Sequence, residues 1–140
     1  MAHFTEAEIA YLASQRLGRL ATISADGTPH VVPTSFRYNP ALDTLDLGGI
    51  GMGRSKKFRD ARDQRHVAFV VDDMPQPTQP RFIEVRGAAE ALGEGGDALG
   101  PGFDPAMIRI HPTRIIAWGI ESETSEADPR DFRPNARTVG

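Results

Sequence analysis

Two turn signals, Asp26-Gly27 and Asn39-Pro40-Ala41-Leu42-Asp43, commit the first third of the chain to antiparallel pairing. Asp-Gly between two extended runs is a strong two-residue hairpin signal. The flanking runs are Arg19-Leu20-Ala21-Thr22-Ile23-Ser24, His30 to Tyr38, and Thr44-Leu45-Asp46-Leu47-Gly48. Parallel neighbours would need a crossover of a dozen residues or more, and these connections are too short to supply one. The sequence therefore predicts a meander of three consecutive strands.

Around that meander the pattern stays short and antiparallel. Thr5-Glu6-Ala7-Glu8 has the form of a capping box, and Ile9, Leu12 and Ala13 follow at helical spacing, so a helix is expected from Thr5 to Gln15. A second helix is expected over the basic run that follows Gly53, with Phe58 and Ala61 as its core face. His66 to Asp72 and Arg81 to Leu92 read as strands, separated by a proline-rich loop from Met74 to Pro80. Gly87, inside the second of these, is a candidate bulge or close-approach point. A glycine-rich link from Gly93 to Pro105 leads to Met107–Pro112 and Arg114–Ile120, one last strand or two. The polar tail from Glu121 to Gly140 is expected to lack regular structure.

At 140 residues the chain has room for one core. About six antiparallel strands with one or two helices close most economically into a single closed or split β-barrel, because closure removes exposed edges. The expected class is mainly β (α+β), with a barrel unit over residues 1–121 and a polar tail over 122–140.

The formal charge is −3, which argues against a general nucleic-acid binder. No apolar run approaches the roughly 18 residues of a membrane span. The start, Met1-Ala2-His3-Phe4-Thr5-Glu6, has neither a basic nor an apolar signal region, and the chain has no cysteine. A cytoplasmic protein without a membrane or nucleic-acid partner is the expectation.

Against that acidic background, Arg54, Lys56, Lys57, Arg59, Arg62 and Arg65 form a dense cationic run. It directly follows Gly48-Gly49-Ile50-Gly51-Met52-Gly53, and Lys56 and Lys57 are the only lysines present. Cations at the start of a helix oppose its macrodipole, and an anion held there compensates them. Gly48 to Ser55 also approximates a P-loop, with Arg54 in the lysine position. The hairpin context excludes it, because a P-loop belongs to a parallel βαβ unit. A solvated helix face stays open as the ordinary alternative.

Other positions divide in the same way. Pro33 inside a strand marks either an edge or bulge, or a backbone that faces a ligand. Trp118 is core, a cover for a planar ligand, or a subunit contact. His3, His30, His66 and His111 lack metal-ligand spacing, Asp72-Asp73 reads as a solvated strand end, and Ser55 lacks a histidine–carboxylate pairing. No metal site and no catalytic side chain is expected. Any chemistry then falls to a bound cofactor, which the protein positions.

Leu20-Ala21-Thr22-Ile23-Ser24-Ala25-Asp26-Gly27-Thr28-Pro29-His30-Val31-Val32-Pro33 resembles the opening hairpin of the pyridoxamine 5'-phosphate oxidase-like, FMN-binding-type split β-barrel proteins. Gly53-Arg54-Ser55-Lys56-Lys57, Val67 to Asp73, and Val85-Arg86-Gly87-Ala88-Ala89 continue the resemblance in order. Leu99-Gly100-Pro101-Gly102-Phe103-Asp104 and Ile108 to Ile120 resemble the branch that uses coenzyme F420, in its dehydrotetracycline reductase-like subgroup. The link between Leu92 and Met107 is shorter than in many of those proteins. The C-terminal R-x-H substrate motif of pyridoxamine phosphate oxidation is not found in the tail, which offers only Arg130, Arg133 and Arg137, so that reaction is not expected.

The resemblance implies a homodimer with two cofactor sites at the subunit interface. Arg54, Ser55, Lys56 and Lys57 would hold the cofactor phosphate or acidic tail. Val32, Pro33, Thr34 and Ser35 would line the ring through their backbone, with Gly49 and Ile50 nearby on the third strand and Trp118 reaching across from the partner. The implied activity is that of an oxidoreductase passing a hydride from reduced F420 to an unsaturated small-molecule acceptor. An FMN-dependent enzyme of the same fold and a non-catalytic flavin or deazaflavin carrier are the alternatives.

Overall fold

The computed structural model describes residues 3–121 and 134–140; most of the expected tail, with Arg130 and Arg133, lies outside them. Helix α1 spans Glu6–Ala13 and is closed by the expected capping box. Thr5 Oγ1 accepts from Glu8 N at 3.1 Å, and Glu8 Oε1 accepts from Thr5 N at 2.9 Å. The helix stops short of Gln15 because Ser14 and Gln15 donate to carbonyls three residues back, which tightens the last turn.

Strands β1 (Leu17–Ile23), β2 (Pro29–Asn39) and β3 (Thr44–Gly48) form the meander. Helix α2 (Lys56–Gln64) follows, then β4 (His66–Asp73), β5 (Arg81–Leu92) and β6 (Met107–Trp118). The two segments expected at the end are thus one continuous strand. Every pairing is antiparallel, in the order β3-β2-β1-β4-β5-β6, and β3 pairs with β6 through Leu45–Ile110 and Leu47–Ile108 to close a six-stranded barrel. That topology contains no parallel βαβ unit and leaves the P-loop-like spelling without its context.

Period-two alternation fills the barrel. Leu20, Leu45, Leu47, Phe69, Ile83, Ile108, Ile110 and Ile115 are fully buried. Ala61 on α2 joins this core and Phe58 packs against it, as their spacing predicts. Gly87 lies at a register shift between β5 and β6, and a Cβ there would run into the backbone of His111. Both readings of that glycine hold together.

The tail differs from expectation at its end. Asn135–Thr138 forms a seventh strand, β7, paired with β6 from Arg114 to Ala117. The physical reason is an edge: β3 covers β6 only from Ile108 to Ile110, so the far half of β6 has a free side that β7 fills. Composition hid this strand, because backbone pairing with β6 and an ion pair from Arg137 to Glu8 tie it to the body, and neither leaves an apolar alternation in the sequence.

Candidate functional site

The barrel splits where β3 ends. Gly48 pairs with Ser35, and a straight continuation would bring the next two residues opposite Thr34 and Pro33. Instead the chain turns aside at Gly49, whose carbonyl accepts from Asp104 N at 3.0 Å. From Pro29 to Thr34, β2 has β1 on one side and no strand on the other among the described residues. Pro33 is tolerated there because it has no N–H for a ladder. It therefore stands at a local edge, with neighbouring backbone groups facing an open notch.

Beyond Gly49 the chain runs through a short loop into α2, which packs on β1 and β5. Met52, fully buried, anchors a short 3-10 turn over Met52–Arg54. Ser55 caps α2: its Oγ accepts from Phe58 N at 3.3 Å and donates to Met52 O at 2.6 Å. The hydroxyl is thus occupied, and what the helix start offers is backbone. The N–H groups of Lys56 and Lys57 have no partner within the helix, and its first turn contains no acid. The hydrogen bonds from Thr28 hold the Asp26 carboxyl below its ordinary value, and the Lys56 charge adds to that pull.

The cations of this segment are not equivalent. Lys56 Nζ stands 3.2 Å from Asp60, and Arg62 pairs with Asp63 at 2.8 Å. Arg54, Lys57, Arg59 and Arg65 make no ion pair among the described residues. Lys57 is the unusual one. It is half-buried, and desolvation lowers the pKa of its ammonium with no carboxylate beside it. A buried cation without a counter-charge is costly unless an anion arrives.

The expected site residues fall into two groups. Val32, Pro33 and Thr34 lie on the open edge, Thr34 buried and Pro33 exposed, and Ser35 stands where pairing with Gly48 of β3 begins. Arg54, Ser55, Lys56 and Lys57 stand at the helix start. Gly49 and Ile50 lie beyond the end of β3 rather than on it, and Ile50 is 83% exposed beside the notch. Trp118 is not brought to the others within one chain. Pro33, Arg19, Val70, Glu84 and Ile116 stand in one row across the sheet, with Trp118 two residues farther along β6. Three strands intervene by that route, and by the other β3 reaches β6 only from Ile108 to Ile110, eight residues before Trp118. The Trp118 ring packs edge-on to Phe82, 6.4 Å between centroids.

Asp104 was missed as a site residue. Its carboxylate accepts from Gly53 N at 2.7 Å, across 51 positions of sequence. Nothing local marks a lone acid in a glycine- and proline-rich link as the partner of a distant loop. The same link is tied to β2, where Arg37 donates to the carbonyls of Ala98 and Leu99 at 3.2 and 3.4 Å. Asp72 and Asp73 are occupied by Arg19 and Arg81, at 3.2 and 2.6 Å.

Comparison with known proteins agrees with this fold. A family profile described as pyridoxamine 5'-phosphate oxidase matches residues 4–132. A 5a,11a-dehydrotetracycline/5a,11a-dehydrooxytetracycline reductase of Streptomyces rimosus is 48% identical over 124 residues, 87% of each chain. A solved structure described as an F420 reductase superposes with a TM-score of 0.63 at 26% identity, covering 80% of this chain and 98% of the other. An FAD binding protein from Mycobacterium smegmatis shares the fold, with a TM-score of 0.62 at 24% identity, covering 82% and 96%. The chain belongs to the pyridoxamine 5'-phosphate oxidase family, whose split barrel is announced by its opening hairpin and its Gly53-Arg54-Ser55-Lys56-Lys57 motif.

Proposed function

We propose that this protein is a cytoplasmic, homodimeric oxidoreductase that uses reduced coenzyme F420 to deliver a hydride to an unsaturated organic acceptor. The observation that carries the reading is Lys57, a half-buried cation without an acid beside it, at the start of a helix whose first N–H groups have no partner within the helix. An anionic group fits that corner, and a flat ring fits the edge of β2. Lys56, Lys57, Arg54 and the backbone after Ser55 would hold the phosphate or acidic tail. Val32 to Ser35, with Gly49 and Ile50, would orient the ring through main-chain groups. When bound, reduced F420 supplies the hydride. The protein's own part is to position the ring and shield it, and the proton comes from solvent. The reductase relative and the F420 reductase neighbour both favour this class.

A second copy of the chain supports the site in this reading. The outer face of β1 and β2 leaves Leu17 46%, Ile23 40% and Val31 71% exposed. Covering that face with its own symmetry mate would bring Trp118 from the partner toward the notch. FMN is the second reading, because two free N–H groups and one unpaired lysine already suffice for a single phosphate.

Titration of the purified protein with F420 and FMN side by side separates the two. F420 should bind more tightly, and reduced F420 should be oxidised with enone, quinone or tetracycline-like acceptors. Tighter FMN binding with a retained flavin chromophore would overturn the F420 assignment. F420 binding without turnover would favour a carrier.

A further inference from the structure

We propose that Asp104 is a positioning residue for the anion corner, clamping the loop that delivers α2 to it; this rests on the cofactor-site reading above. The two hydrogen bonds of Asp104 take hold of opposite ends of one loop. Its backbone N donates to Gly49 O at 3.0 Å, and its carboxylate accepts from Gly53 N at 2.7 Å. Between those points lie Ile50, Gly51 and Met52, a glycine-rich stretch that loses much chain entropy when fixed in one shape. Gly53 is one residue from Arg54 and two from the cap Ser55. A shift of the loop therefore carries the free N–H groups of Lys56 and Lys57 with it.

The same contact accounts for Gly53. A Cβ there would stand 2.9 Å from Asp104 Oδ2 and 3.1 Å from Ala106 Cβ. A methyl group before Arg54 would thus push the Asp104 carboxylate away from Gly53 N, independently of any ligand. The clamp is itself held from behind. Pro105 O accepts from Gly96 N at 2.8 Å, and Leu99 and Phe103 pack over Gly48. Met52 anchors the loop in the core, and the Asp104 contacts fix its two glycine ends from across the fold.

The test compares Asp104→Ala, Asp104→Asn and Gly53→Ala with the wild type. Amide hydrogen exchange from Gly49 to Lys57 is measured on the ligand-free protein, and affinity by titration with F420 and with FMN. Asp104→Ala should speed exchange across the loop and weaken the bound cofactor about tenfold, the scale of one charge-assisted hydrogen bond. Asp104→Asn keeps an oxygen acceptor for Gly53 and should stay within about threefold of wild type. Gly53→Ala, which leaves the acid in place but forces it away, should resemble Asp104→Ala and carries the test if that variant does not fold. Wild-type exchange in Asp104→Ala, or equal losses in the Asn and Ala variants, would overturn the clamp. Wild-type protein that binds neither cofactor would instead sink the site reading, a failure seen in a different sample.

Discussion

Arg137, near the C-terminus, closes on Glu8 in the first helix, 129 positions away. Its Nη1 lies 3.0 Å from Glu8 Oε2, and its Nη2 donates to Glu8 Oε1 and to His3 O. Glu8 is only 1% exposed and also completes the capping box, so one carboxylate joins both termini of the fold. Removing the cation strands a buried charge, the costly way to break such a pair. Arg137→Ala should lower unfolding free energy by about 3 kcal/mol in urea titrations. A loss near zero would mean that the ion pair adds nothing to stability and that β7 is held by its pairing with β6 alone.

Lys56 and Lys57 adjoin in sequence but differ in what surrounds them. Asp60 already partners Lys56, whereas Lys57 is desolvated and has no acid beside it. Lys57→Ala should cost cofactor binding on the order of 1.5–3 kcal/mol, read as the ratio of dissociation constants. Lys56→Ala should cost clearly less, because its charge is partly neutralised before any ligand arrives. Equal losses would remove the distinction between the two.

This pair also shows where sequence reasoning reaches and where it stops. The cationic helix start was legible because it breaks a local electrostatic rule within four residues. The hairpins at Asp26-Gly27 and Asn39–Asp43, and Gly87 as a close-approach point, were legible for the same reason: each is a short-range constraint on backbone or charge. The pairing of Lys56 with Asp60 lies at helical spacing and was accessible too. Asp104 against Gly53, Arg137 against Glu8, and the strand Asn135–Thr138 were not. Each depends on a partner brought near only when the barrel closes, and none carries an apolar period. The six cations consequently looked more uniform in sequence than they are in the fold.

Asp46 sets an acid limit on stability. Burial pushes its carboxyl up, but hydrogen bonds from Arg109 (2.9 and 3.1 Å), Asn39 and Thr44 outweigh it and hold the pKa below the ordinary value. Asp73 is held down by Arg81 and Tyr11 in the same sense. A depressed carboxyl contributes stability above its unfolded pKa, about 4, and loses it as pH falls through the folded value. Unfolding free energy should therefore be flat from about pH 7 to 5 and fall below about pH 4. Asp46→Asn should be less stable at neutral pH and show a shallower acid decline. An unchanged decline would assign the acid limit to other groups.

Gly87 faces the backbone of His111 across the bulge between β5 and β6. A methyl group there meets main chain rather than a side chain that could turn away. Gly87→Ala should cost about 2 kcal/mol, within the range for overpacking a tight contact. The measurement is the urea midpoint at unchanged slope. Gly93 has open space at its Cβ position and provides the control: Gly93→Ala should be near neutral.

Val31 tests the dimer without touching the anion corner. It is 71% exposed on the outer face of β2, so a lysine there costs an isolated barrel little. In a homodimer covered along this face the same lysine would be desolvated against its own copy, twice by symmetry. Val31→Lys should therefore shift the mass in sedimentation from dimer to monomer. Cofactor affinity should fall with it, because in the proposed dimer Trp118 from the partner would help enclose the notch. Monomeric wild-type protein at micromolar concentration would overturn the interface. A dimer that persists in Val31→Lys with full affinity would move that interface to another face of the barrel.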